Sequence, residues 1–257
     1  MVGVTKIGPR NANYWINAVA EGGEDYYTKP GEVPGEWLGA LAEELGLEGE
    51  VDRDAYAAVL TGKHPGTGQV LVSRPQARKF TDAEGRERRL DPILGYDVRF
   101  AAPKSVSLLY AIGSPEVRAA ALRAHDHAVA EGLAYLHRNA CFVQRGAGGK
   151  KIEPGAGFVA MAFRHRSSRA GDPALHTHVV TANMTRAVSD GRWLSLAAPK
   201  GRTPFWLHAK SAGHVYQAAL RAALTRELGL EWEAVRNGYA DIKGVGRPVI
   251  EHFSQRR

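Results

Sequence analysis

Residues 158–183 read FVAMAFRHRSSRAGDPALHTHVVTAN, and this stretch predicts the centre of the fold. Two apolar segments, Phe158 to Phe163 and Leu175 to Asn183, have the length and composition of strands. The link between them is short and contains Gly171 and Pro173, which favour a turn. An antiparallel hairpin is therefore expected, with the second strand lying beside the first.

Three histidines of this hairpin are expected to meet. Side chains alternate along a strand, so His176 and His178 point to one face, and His165 ends the neighbouring strand. Three imidazoles there can bind one cation and leave positions open for substrate. Histidine is also an ordinary surface residue, so the pattern alone is compatible with exposed histidines that bind no metal. The remaining histidines of predicted helices share no face and are expected to be structural or exposed: His125, His127, His137, His208 and His214.

The rest of the chain mixes helices and strands without regular alternation, which favours an α+β fold. A long helix is predicted from Pro115 to about Arg138, capped by Ser114, and a second from Trp206 to Leu228. A shorter helix is predicted from Glu36 to Leu45.

Several other stretches are predicted to be strands, turns or irregular structure. Residues 61–91 lack periodicity and are interpreted as a long loop or basic arm. Residues 141–145 are predicted to form a strand, and residues 146–151 a basic turn that lacks the spacing of a phosphate-binding loop. A hairpin is predicted around Asn237 and Gly238.

Charge divides the chain into two unequal parts. Residues 1–60 contain 4 Lys or Arg and 11 Asp or Glu, a net charge of −7, whereas residues 61–257 contain 30 and 16, a net charge of +14. A basic body of this kind favours a polyanionic partner such as nucleic acid, although a merely solvated surface has the same composition.

Other features bear on the compartment. The apolar runs are too short to span a membrane, the first ten residues do not resemble a signal peptide, and Cys141 is the single cysteine. We therefore expect a cytoplasmic protein without membrane contact.

Several motifs resemble those of MobF-type conjugative relaxases, which belong to the HUH endonuclease superfamily. They occur in the family's order from about Tyr14 to the end of the chain: EW at residues 36–37, AEELGL at 42–47, GYDVRFAAPKSVS at 95–107, FRHRSSR at 163–169 and DPALHTH at 172–178. Because several separate motifs agree, the resemblance is highly specific.

The resemblance implies a fold, a cofactor and a substrate. The expected fold is a palm-like central antiparallel sheet with packed helices. One divalent metal ion would be held by His165, His176 and His178; Mg²⁺ or Mn²⁺ is expected in use, and Zn²⁺ or Ni²⁺ is also compatible. The substrate would be single-stranded DNA of a transfer origin with an adjacent hairpin, and other relaxosome proteins are possible partners. Residues 1–257 would form a single relaxase domain, the N-terminal part of a longer relaxase–helicase.

The family's nucleophile is a tyrosine near the N-terminus. Tyr14 is the expected primary nucleophile and Tyr26 the candidate for a second cleavage, although Trp15 interrupts the first tyrosine pair that family members often carry. By the same resemblance, Asp97 orients a metal-bound histidine or accepts the tyrosine proton. Lys104, in the same stretch, is a candidate phosphate contact, although a simply solvated lysine is also compatible, and Arg169 is a second candidate DNA contact. Asp97 is also a residue type that commonly caps local backbone groups.

Two other functions remain compatible with the sequence. One is a hydrolytic histidine–metal nuclease in which water attacks and the tyrosines are structural. The other is a non-catalytic single-stranded DNA-binding module that stacks bases on aromatic residues such as Trp193, Trp206 or Tyr216.

Overall fold

The computed structural model describes residues 2–12, 35–168 and 170–254. Its strands are β1 (Val2–Ile7), β2 (Glu36–Leu38), β3 (Arg78–Thr81), β4 (Glu87–Leu90), β5 (Gly95–Ala101), β6 (Phe142–Arg145), β7 (Lys151–Pro154), β8 (Ala160–Ser167), β9 (Pro173–Ala182), β10 (Thr185–Arg186) and β11 (Trp193–Leu194). At the centre is a five-stranded antiparallel sheet with strand order β1-β5-β9-β8-β2. The two-stranded pairs β3–β4, β6–β7 and β10–β11 lie outside it.

Helices accompany the sheet, and two of them are long. The α-helices that lie wholly within the described ranges are α1 (Ala40–Glu44), α2 (Arg53–Leu60), α3 (Lys104–Ile112), α4 (Pro115–Ala140), α5 (Pro204–Leu228) and α6 (Arg247–His252). The predicted cap of α4 is present, because the Ser114 hydroxyl accepts a hydrogen bond from the Val117 N–H at 3.4 Å. Helix α5 ends at Leu228 and is capped by Gly229, whose positive φ of 66° suits glycine.

The two faces of the sheet have different neighbours. Tyr96, Val98 and Phe100 of β5 and Val179 of β9 pack with apolar residues of α4 and α5. On the opposite face, Val180 of β9 and Met161 and Phe163 of β8 pack with α1 and α2. The α+β class with a central antiparallel sheet is therefore confirmed.

The prediction of one helix from Glu36 to Leu45 is wrong. Glu36–Leu38 forms β2, which pairs with β8, and helix α1 begins only at Ala40. Gly39 separates them with φ 96°, and a Cβ there would lie 2.4 Å from the Phe158 carbonyl oxygen. Trp37 is buried against the sheet, so pairing at the sheet edge outweighs the local helical pattern.

The interpretation of residues 61–91 as a long loop is wrong in part. Strands β3 and β4 form an antiparallel pair, and every residue of both strands is exposed. Asp82 organises the connection by accepting from the backbone N–H groups of Glu84 and Arg86 at 3.1 and 2.9 Å. We name this pair of strands the exposed ribbon. Because its strands bury no side chain, its sequence has no alternation of apolar and polar residues from which strands could be predicted.

The remaining local predictions agree well with the structure. The turn at Asn237 and Gly238 has φ of 50° and 82°, and bridges on either side pair its flanks. Residues 104–112 form α3. Over the three described ranges, no helix is both long enough and apolar enough to cross a membrane.

Candidate functional site

Three histidines lie together on the sheet face opposite α4 and α5. His165 of β8 is the direct cross-strand neighbour of His176 of β9, and His178 lies two residues further along β9. The ring centroids of His165 are 5.2 Å from those of His176 and 5.4 Å from those of His178. The rings of His176 and His178 are 5.2 Å apart. The strand register thus brings together the residues that the sequence selected.

Hydrogen bonds orient two of these rings. Nδ1 of His178 is 2.8 and 2.9 Å from the carboxylate oxygens of Asp97 in β5. Nδ1 of His176 is 2.7 Å from the carbonyl oxygen of Ala174. A carbonyl oxygen only accepts, so Nδ1 of His176 donates, and its Nε2 keeps the lone pair that a metal requires.

The protonation state of His176 suits metal binding. Burial lowers the pKa of His176 to about 3, since a charged ring would lose its hydration there. The ring is therefore neutral near pH 7, and no proton has to leave before it can act as a ligand.

The spacing of the rings agrees with a shared ion, but the site is not closed around one. Three imidazoles that bind one ion at ~2.1 Å with tetrahedral angles have centroids roughly 5 Å apart. Within the described ranges, no group of three or more His, Cys, Asp or Glu side chains already meets the geometry of a metal site. The distances between the ring centroids therefore match the separation that a shared ion requires.

Arg99 is a candidate site residue that the sequence reasoning missed. It lies directly across from His178, on β5 two residues after Asp97, and it is exposed. Its charge contributes to lowering the pKa of His176. Strand alternation from Asp97 places Arg99 on the histidine face, so the signal was present in the sequence.

Lys104 lies near the start of β9 but has backbone partners. Its ammonium donates to the carbonyl oxygens of Pro173 and Phe253 at 2.8 and 2.9 Å. Burial lowers the pKa of Lys104. These contacts tie α3 to β9 and to the end of α6. Tyr14, Tyr26 and Arg169 lie outside the described residues.

One aromatic residue suggested for base stacking is excluded from that role. Tyr216 is fully buried, and its hydroxyl is 2.7 Å from Nδ1 of His125. Trp193 is half-buried against the core. Trp206 is 40% exposed, but its indole N–H donates to the Val4 carbonyl and the Lys6 ammonium covers its ring at 4.7 Å.

Comparison with known proteins gives one consistent result. The family model for TrwC relaxase matches residues 9–257. Two multifunctional conjugation proteins TraI, from Escherichia coli and from its strain K12, are 33% and 32% identical to this chain over 98% and 91% of its length. The chain spans only 13% and 12% of the length of those two proteins.

Solved structures of the conjugative relaxase TrwC are also similar. A metal-free complex with OriT DNA has a TM-score of 0.74 and 31% identity, covering 99% of this chain and 79% of that one. A complex with a 27-mer DNA comprising the recognition hairpin and the cleavage site has a TM-score of 0.72 and 32% identity, with the same coverage. A metal-bound complex with OriT DNA has a TM-score of 0.73 and 32% identity, covering 99% and 80%.

Proposed function

Because this chain belongs to the TrwC relaxase family, we propose that it nicks and rejoins one DNA strand at a transfer origin, through a covalent bond between a tyrosine and the 5′ phosphate. The main support is the cluster of three imidazoles, backed by Asp97, in a chain similar to proteins solved with OriT DNA. We extend the proposal to residues 1–257 as one catalytic domain of a longer relaxase–helicase, working in the bacterial cytoplasm.

His165, His176 and His178 are the proposed ligands of one divalent metal ion. The donor set is suitable, because neutral imidazoles bind many divalent ions and the backing of His176 and His178 leaves Nε2 available on each. A bound ion would act as a Lewis acid at the scissile phosphate. We propose that Mg²⁺ or Mn²⁺ supports the reaction and that the site also accepts Zn²⁺ and Ni²⁺.

Tyr14 is the proposed nucleophile. Its phenolic oxygen loses its proton to solvent and attacks phosphorus, the bond from phosphorus to the 3′ oxygen breaks, and the departing 3′ oxygen takes up a proton from solvent, so the proton count is unchanged. The products are a 5′-phosphotyrosyl bond and a free 3′ hydroxyl. Rejoining reverses these steps without ATP, since the phosphotyrosyl bond conserves the energy of the bond that broke. Tyr26 is proposed for a second strand transfer.

Asp97 is proposed to orient His178 rather than to accept the tyrosine proton. Both of its oxygens lie within 2.9 Å of Nδ1 of His178. A carboxylate engaged in this way fixes the ring and raises its basicity as a ligand.

Basic groups around the histidine face are proposed to hold the DNA. Arg99 lies directly across from His178, Lys104 contacts the start of β9, and the strands of the exposed ribbon are open to solvent. Arg169 is added to this group from the sequence motif. A two-stranded ribbon of this size fits the groove of a DNA duplex, which suits a hairpin adjacent to the cleavage site.

The nucleophile is tested with Tyr14→Phe on oligonucleotides derived from a transfer origin, in the presence of Mg²⁺ or Mn²⁺. The variant loses one oxygen and keeps the ring, so folding should be preserved while the covalent adduct disappears. Tyr26→Phe should still form the first adduct and fail in a second transfer. Mapping the adduct of the unaltered chain to Tyr26 or Tyr27 alone would overturn the assignment of Tyr14.

The same assay separates the two alternative functions. A hydrolytic nuclease would cut the oligonucleotide in a metal-dependent reaction and leave no protein–DNA adduct. A binding module would retain the oligonucleotide uncut under every condition.

A test of the metal ligands uses His176→Ala and His178→Ala. We expect both to abolish cleavage while DNA binding survives, because phosphate contacts provide most of the affinity. Full cleavage by both variants would remove the metal-site assignment.

A further inference from the structure

Directly behind the histidine cluster, one hydroxyl connects strand β9 to the long helices. Thr177 separates His176 from His178 and therefore points to the opposite face of the sheet. It is buried, and its Oγ1 lies 2.8 Å from Nε2 of His125 in α4. A contact from α4 thus reaches the strand at the residue between two proposed metal ligands.

His125 continues the connection to α5. Its ring is fully buried, and its Nδ1 lies 2.7 Å from the Tyr216 hydroxyl. Burial lowers the pKa of His125 to about 3, so its ring is neutral and has one donor and one acceptor nitrogen. Either tautomer satisfies both contacts, because each hydroxyl can donate or accept. We name Thr177, His125 and Tyr216 the polar chain.

A second polar contact joins the neighbouring strand to the same helix. Arg164 precedes His165 in β8 and is the cross-strand partner of Thr177. Its guanidinium donates to the Asp126 carboxylate at 2.5 Å, and Asp126 follows His125 in α4. Both histidine strands are therefore held by consecutive residues of one helix.

Packing alone does not hold this part of the sheet. A cavity of about 410 Å³ lies between the sheet edge and α4, and Arg164 and Thr177 line it together with Val129 and Leu133 of α4. Where side chains leave such a gap, directional hydrogen bonds contribute more to the position of a strand than van der Waals contact does.

We propose that Thr177, His125 and Tyr216 are positioning residues of the metal centre, which hold β9 so that His176 and His178 meet His165 at the spacing one ion requires. This inference rests on the proposed metal site. None of the three residues touches metal or DNA; each acts through the placement of the strand that carries two ligands.

The experiment compares Thr177→Val with Thr181→Val in the full chain. Thr181 lies four residues further along β9 on the same face, is fully buried, and its hydroxyl has no hydrogen-bond partner within the described ranges. Both substitutions replace a hydroxyl by a methyl group of similar size, so they differ mainly in the contact to His125. The readouts are the Kd for Mn²⁺ by calorimetry, the electron paramagnetic resonance spectrum of bound Mn²⁺, and the Tm of the metal-free protein.

We expect Thr177→Val to raise the Kd for Mn²⁺ about tenfold, which is the lower end of the loss typical for residues that support ligands. Its Mn²⁺ spectrum should broaden as the ligand geometry becomes less uniform. Thr181→Val should change the Kd by less than about twofold on the same scale. Thr177→Ser retains the hydroxyl and should restore the affinity, and Tyr216→Phe should weaken binding less than Thr177→Val does.

Equal Kd values and spectra for the two valine variants would overturn the positioning role. If Thr177→Val does not fold, Tyr216→Phe tests the positioning role instead. An unchanged Kd for Mn²⁺ in that variant would also overturn the role. Failure of the unaltered chain to bind Mn²⁺ would instead refute the proposed metal site itself, and this inference with it.

Discussion

At the scale of single residues, the chemistry of the site depends on which nitrogen of each imidazole carries the proton. Asp97 and Ala174 engage Nδ1 of His178 and His176, respectively, and both rings then present Nε2. A substitution of Asp97 would change the orientation of the His178 ring without removing a proposed ligand. The site is therefore sensitive to residues that would not touch a bound ion.

Asp97→Asn tests this sensitivity. The amide keeps the size of the side chain but loses the charge that stabilises the orientation of His178. We expect the Kd for Mn²⁺ to rise about tenfold and adduct formation to slow accordingly. The measurements are calorimetry and a gel assay for the covalent adduct. Asp190→Asn is the control, because that carboxylate pairs with Arg145 at the surface; equal effects of the two substitutions would contradict the role of Asp97.

At the scale of secondary-structure elements, the exposed ribbon stands apart from the rest of the fold. Its strands bury none of their residues, so hydrophobic burial gives no reason for its presence. Its two strands carry four Lys or Arg and the connection between them carries Arg86, although several of these are paired internally, as Lys79 is with Glu87 and Arg88 is with Asp82. An element that stabilises the core so little is more readily explained by contact with a partner.

Replacing residues 79–88 by two glycines removes most of the ribbon. We expect the Tm to change by only a few degrees, because little apolar surface is exposed. Affinity for an origin oligonucleotide that contains the DNA hairpin should fall at least about tenfold, equivalent to ~1.4 kcal/mol. Fluorescence anisotropy measures the affinity for the oligonucleotide with the hairpin and for one without it. A loss of the same size for both oligonucleotides would argue against recognition of the hairpin by the ribbon.

At the scale of the whole molecule, the sheet separates chemistry from support. The histidines occupy one face, and the polar chain and the two long helices occupy the other. The support includes a buried histidine, His125, so the stability of the fold is linked to pH. This link follows from the same burial that keeps the ring neutral.

The sign of the pH effect follows from the two states of His125. Its pKa is about 3 in the folded protein and ~6.5 in the unfolded chain, so only the unfolded chain binds the proton between these values. The contribution to stability is fully present above pH ~6.5 and is lost as pH falls toward 3, by at most about 1.4 kcal/mol per pH unit. Urea denaturation from pH 7 to 4, with a chelator present, should show a steeper loss than the same series on His125→Gln. Parallel curves would contradict this origin of the pH dependence.

The sequence by itself was sufficient to identify the family motifs and to predict the α+β class, the long helices and the shared face of His176 and His178. Each of these depends on residues close together in the chain, whose spacing follows directly from helical or strand periodicity. The roles of Tyr14, Tyr26 and Arg169 stay predictions that rest on the motifs.

Only the tertiary structure decided which distant residues meet. It paired Asp97 with His178, 81 positions later, and linked His125 to Thr177 across 52. It also turned Glu36–Leu38 into an edge strand, against its local helical pattern. Such contacts depend on the path of the chain and on the burial that stabilises pairing at a sheet edge. Neither of these leaves a periodic pattern in the sequence of the segments involved.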